Sequence, residues 1–249
     1  GMSALIGTPF YEGVLAHEFQ HMIHAHNDVN ESVWLDEGMA ELASAVAGYS
    51  SPQEGAWAFA RSPGTQLNHW SVLEESAPHY GASFQFAAYF WTRFGKAGIR
   101  ALVENPRDDW AGIAHSLATL QAIDPAVGTP YTLESFFAEW TAANIILAPE
   151  GAPYSYAALP FALKRTFLAL AQVGKPQNLT LTPWGTVYLK VAHPGRYRLS
   201  FTGEALTRLL PLEESTNTFW WSNRGDEIES RLTRRLDLRK VSSATLTYR

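Results

Sequence analysis

The chain contains no cysteine. That excludes a disulfide scaffold, thiolate metal sites and a cysteine nucleophile. It has no apolar run approaching the about 18 residues that cross a bilayer, so no segment is expected to span a membrane. No basic stretch leads into an apolar leader core, so no signal peptide is read in the sequence. Basic residues are few and scattered. The 19 Lys and Arg stand against 24 Asp and Glu, for a net charge of −5. Without a basic stripe there is no electrostatic footprint for a phosphate backbone, and nucleic acid is not an expected partner. Apolar residues are plentiful. At 46% hydrophobic over 249 residues, the chain can bury one large core or two smaller ones. Gly1 before Met2 reads as the scar of a removed tag. Both ends are therefore expected to be artificial, with any signal peptide lying outside the sequence.

The first two-thirds reads helical. Thr8-Pro9 is an N-cap followed by proline at the first helical position. Val14, Leu15, Phe19, Met22 and Ile23 then recur with a helical period as far as about His26. A second helix is expected from near Ser32 to Gly48, a good residue for a helix C-terminus. Residues 49–79 are rich in Pro, Gly, Ser and Asn and read mostly as loop with short helical turns. Residues 81–94 read as a buried helix ending at Gly95, and further helices end with Leu133 to Leu147. After Pro149-Glu150-Gly151 the character changes. Val187, Leu189 and Val191 alternate with polar neighbours, His193-Pro194-Gly195 offers a turn, and Tyr197, Leu199 and Phe201 follow. That pattern predicts a β-hairpin with one buried face.

The chemistry sits at His17-Glu18-Phe19-Gln20-His21. Helical residues four apart lie about 40° apart around the axis, so both imidazoles leave one face and can share one ion. Neutral imidazole suits Zn²⁺. Glu18 adjoins that face and can take a proton from a metal-activated water. A catalytic zinc needs a third protein ligand and an open position. Trp34-Leu35-Asp36-Glu37-Gly38-Met39-Ala40-Glu41 supplies a candidate in Glu37, with Glu41 one turn on, placed to orient a ligand imidazole.

The two strings together resemble the gluzincin metallopeptidases, most closely the hyicolysin-like group, over residues 11–48. The resemblance implies that His17, His21 and Glu37 are Zn²⁺ ligands and that Glu18 is the general base. Fifteen residues separate His21 from Glu37, a shorter interval than in thermolysin-like relatives. A metzincin pattern would need Gly and His where the chain has His24 and Asn27. Tyr80-Gly81-Ala82-Ser83 is similar to a helix start near the active site of such enzymes, which makes Tyr80 the candidate oxyanion donor. His79, and more weakly His69, are candidates for the same role. The tail from Phe219 resembles the start of the β-rich module of immune-inhibitor-A-like peptidases.

The resemblance thus implies an α+β chain. Residues 1–148 would form the mostly helical C-terminal subdomain of a zincin. Residues 149–249 would form an antiparallel β-rich region truncated at its C-terminal end. The expected function is zinc-dependent hydrolysis of peptide bonds, by an endopeptidase secreted or displayed at a cell surface, with a peptide or protein as substrate. Only 16 residues precede His17, with no strand long enough for the substrate-binding sheet that the resemblance implies. An over-exposed metal site with feeble peptidase activity is therefore expected. The alternative is an adhesion protein whose β-rich region docks to a cell-surface ligand while the metal site is structural or silent. A non-peptidase hydrolase on the same metal scaffold is a third reading. His24 is expected beside the site or at the surface, Asp36 as a cap or surface carboxylate, and Asp226, Glu227 and Glu229 as a solvated turn.

Overall fold

The computed structural model describes residues 6–70 and 76–203. The tail from Phe219, its strand at 244–249 and the Asp226 cluster lie outside the described residues. Contacts divide the chain into two units, Gly1–Gly195 and Arg196–Arg249. In the first unit six helices carry the architecture: α1 (Pro9–Asn27), α2 (Val33–Val46), α3 (Gln53–Arg61), α4 (Ala77–Val103), α5 (Asp109–Thr119) and α6 (Leu133–Ile146).

The helix boundaries follow local chemistry. The Thr8 side chain accepts a hydrogen bond from the Tyr11 amide at 3.3 Å, and Pro9 opens α1. Thr132 and Ser135 form a capping box at the start of α6. Gly95, at φ 57°, puts a kink inside α4 where the sequence predicts an end. The segment before it is the core: residues 81–90 are all buried. Phe86 meets the rings of Trp34, Trp110, Phe136 and Trp140 at 5.5–5.8 Å, so one aromatic cluster joins α2, α4, α5 and α6.

Two glycines set how closely the helices cross. A Cβ on Gly38 would stand 2.6 Å from the Ser83 carbonyl oxygen, and one on Gly81 would stand 1.9 Å from that of Gly55. Helix α4 therefore lies directly on the backbones of α2 and α3. This contact brings the start of α4, with Tyr80, toward the residues of α2 that follow Trp34-Leu35. Helix α1 leans on α2 through polar contacts: Ser44 Oγ donates to the Gly13 carbonyl at 2.5 Å, and Tyr49 Oη donates to Glu12 at 3.0 Å.

Within residues 49–79, expected mostly as loop with short helical turns, α3 is a nine-residue helix that buries Ala56, Ala58, Phe59 and Ala60. One expectation is corrected. The antiparallel hairpin and β-rich region are absent from the described residues. Their only strand pair is short and parallel, β1 (Ala169–Leu170) on β2 (Leu189–Lys190). Leu199 and Phe201, expected on the hairpin's buried face, are 90% and 84% exposed. Alternation alone does not hold a strand.

Residues 149–195 share a compact unit with the helices. They run as an extended strap over the bundle. Phe161 packs on Phe84 at 5.7 Å and Trp184 stacks on Trp110 at 4.0 Å. The Phe167 amide donates to the Ala60 carbonyl at 2.7 Å, and Tyr188 Oη donates to that of Thr141 at 2.7 Å. No described helix is long and apolar enough to cross a membrane.

Candidate metal centre

The α1–α2 contact builds the centre. Helical spacing places the His17 and His21 rings edge to face, with centroids 4.7 Å apart. Their Nε2 atoms lie 3.0 Å apart. Glu37, presented by the first turns of α2, brings Oε2 to 3.2 Å from His17 Nε2 and 3.7 Å from His21 Nε2. The three atoms form a triangle with edges of 3.0, 3.2 and 3.7 Å. A tetrahedral Zn²⁺ with ligand bonds of about 2.0–2.1 Å separates its ligand atoms by about 3.3 Å. The edges straddle that value, and among the described residues no other group of His, Asp and Glu converges in this way.

The donor set also fits a cation. Glu37 Oε2 is buried and faces the two imidazole Nε2 atoms at 3.2 and 3.7 Å. A buried carboxylate oxygen in that position favours an approaching cation. Three protein atoms on one side leave the fourth tetrahedral position open, as a catalytic rather than a structural site requires.

Outer contacts fix the imidazoles. His21 Nδ1–H donates to Asp36 Oδ2 at 2.8 Å, and His24 Nδ1–H donates to Asp36 Oδ1 at 3.0 Å. His17 Nδ1 faces Glu41 Oε1 at 3.4 Å. Each ring thus sets Nδ1 against a carboxylate and turns Nε2 to the triangle, so that as a neutral ligand it would carry its proton on Nδ1. Glu41 occupies the orienting position expected of it. Asp36 is corrected: it is not a cap or free surface carboxylate but the group that bridges His21 and His24. His24 is 1% exposed, beside the site.

The same contacts set the charge balance without metal. Burial opposes charge on His17, but hydrogen bonds and attraction from Glu37 and Glu41 outweigh it and push its pKa up to about 10. The hydrogen bond to Asp36 raises His21 above its ordinary value, despite some burial. Burial alone would raise Asp36, yet His21 and His24 hold it well below the usual carboxylate range.

Glu18 follows His17 on α1 and is exposed. Tyr80, from the first turn of α4, is half-buried, its ring edge-on to Trp70 at 4.7 Å. Its hydroxyl hydrogen-bonds Glu37 and feels the charges of Glu41 and Glu18. Burial and these carboxylates push the phenol's pKa up to about 12. His79 packs against His69 and Trp70 instead.

The outward face of α1 is apolar and bare. Leu15, Phe19 and Met22 are 50%, 60% and 68% exposed. No protein-family model, curated protein or solved structure matches this chain.

Proposed function

We propose that this chain is a zinc-dependent metallopeptidase of the gluzincin type, with endopeptidase activity. The observation that carries the proposal is the His17–His21–Glu37 triangle, whose edges suit a tetrahedral ion with one open position. Zn²⁺ held there would polarise the scissile carbonyl and acidify a water. Glu18, exposed beside the triangle, is the base that takes a proton from the attacking water and then returns it to the leaving amine. Tyr80 keeps its proton throughout the neutral range, so its hydroxyl can donate to the developing oxyanion. Asp36 and Glu41 hold the ligand imidazoles in the tautomer that frees Nε2. The peptide or protein substrate and the secreted or cell-surface location expected from the resemblance belong to the same proposal.

The test combines metal content with one substitution. The chain should bind one zinc. Cleavage of a protein substrate should vanish with a chelator and return with zinc. Glu18→Gln preserves volume and zinc binding but cannot accept the proton. Its turnover should fall by about 10²–10⁴-fold. A zinc-loaded Glu18→Gln variant with native turnover would remove Glu18 from its role.

A further inference from the structure

Beside the triangle lies a cavity of about 230 Å³. Its walls include Glu41 of α2, Ser51 and Pro52 of the following turn, Gly55 of α3, and Ala77 and Tyr80 of α4. One liquid water fills about 30 Å³, so the space is large enough for a whole side chain.

Two polar atoms here lack partners. Glu41 Oε2 and Ser51 Oγ are both buried and make no hydrogen bond among the described residues. Glu41 is only 15% exposed, and its other oxygen already faces His17 Nδ1 at 3.4 Å. Glu41 Oε2 is thus left as an acceptor on the cavity side, and no described residue lining the cavity is Lys or Arg. A buried carboxylate in that position favours a cationic donor.

Resting on the peptidase reading, we propose that this cavity is a substrate subsite for an Arg or Lys side chain flanking the scissile bond, with Glu41 Oε2 and Ser51 Oγ as its acceptors. A guanidinium has donors enough for both atoms and a planar end that can lie along the Tyr80 ring. A neutral side chain of the same shape would leave Glu41 unpaired.

The test is a binding measurement on the zinc-loaded, isotope-labelled full chain, so it does not depend on turnover. The probes are Nα-acetyl-arginine amide and Nα-acetyl-citrulline amide, equal in shape and different in charge. The arginine probe should shift the amide resonances of Ser51, Gly55 and Ala77 and bind at least about tenfold more tightly. Glu41→Gln should abolish the preference. Because that change also touches His17, Ser76→Lys serves as a second variant. It sets an ammonium on the cavity wall and should abolish the preference with zinc stoichiometry intact. Equal affinity for the two probes, or shifts confined to other residues, overturns the subsite. So does tighter binding of arginine amide with a free α-amine than of the acetylated probe, because the recognised cation would then be the chain terminus. Failure of the peptidase reading looks different: the chain would take up no zinc, or would load zinc and cleave nothing.

Discussion

Replacing Asp36 by Asn tests how the ligand imidazoles are held. Asp36 accepts two hydrogen bonds, from His21 Nδ1 at 2.8 Å and from His24 Nδ1 at 3.0 Å. Asn has one acceptor oxygen and one NH₂ group in the same space. If the oxygen stays on His21, the NH₂ faces His24 Nδ1, and the His24 proton must move to Nε2. That atom is buried without a partner, so the shift costs about 1–3 kcal/mol. If the oxygen turns to His24, His21 must carry its proton on Nε2, the atom that would bind zinc. Either arrangement penalises the metal-ready tautomer. A loss of about 10–100-fold in zinc affinity follows, the usual range for an outer-shell partner, or about 1.4–2.7 kcal/mol. Competition against a chelating dye measures it, with circular dichroism to verify that the variant keeps its helices. Zinc affinity within about twofold of the parent would show that the Asp36 bridge does not orient His21, and the tautomer argument would fail.

Zinc affinity should rise about tenfold per pH unit between roughly pH 7 and 9, since each ion must displace at least the proton held on His17 up to about 10; a pH-independent dye competition would refute this. The sign reverses for the metal-free fold: the raised His17 pKa contributes stability that is complete below its ordinary value of 6.5 and lost as pH rises through about 10, which thermal melts across that window would register. Gly81→Ala should lose at least about 2 kcal/mol and several degrees of Tm, because its Cβ would sit 1.9 Å from the Gly55 carbonyl oxygen. Gly64→Ala, with open space at the same position, is the control. Zinc should slow hydrogen exchange in α1 far more than in the buried part of α4, since an ion held by His17, His21 and Glu37 would tie the largely exposed α1 to α2. Equal protection of both helices would argue against a metal bridging α1 and α2.

The helical unit was readable because its signals are local. Thr8-Pro9 specifies a cap, and the unbroken burial of residues 81–90 up to the Gly95 kink matches an apolar segment closed by glycine. The convergence of His17, His21 and Glu37 was readable for the same reason. One helical turn sets the His17–His21 spacing, and Glu37 needed only a second helix to carry it across. Helix α3 was hidden by the Gly, Ser and Pro around it. Its own signal is short: Pro52 at the N-cap, then Ala56, Phe59 and Ala60 at helical spacing on the buried side. The expected hairpin failed for the opposite reason. Period-two alternation is present, but a strand also needs a partner and a covered face, and those are set by distant residues.

Helix α1 shows most clearly what periodicity leaves out. Its apolar stripe identified the helix correctly, and an amphipathic helix ordinarily turns that stripe to the core. Here Leu15, Phe19 and Met22 face outward, while Gly13 and His24 are the buried residues of the helix. The inward face of α1 is made of imidazoles, because α2 answers it with Asp36, Glu37 and Glu41 rather than with apolar side chains. Sequence spacing fixes which residues share a face but not which face meets a neighbour. That choice pairs three carboxylates with three histidines, which would each be costly to leave half-buried without a partner. Asp36 was misread for the same reason. Viewed on its own helix it points away from Glu37, whereas across the α1–α2 contact it lies between His21 and His24. The signal was available in α1 itself: two histidines three residues apart, each with an Nδ1–H to satisfy, call for an acceptor between them on the opposing helix.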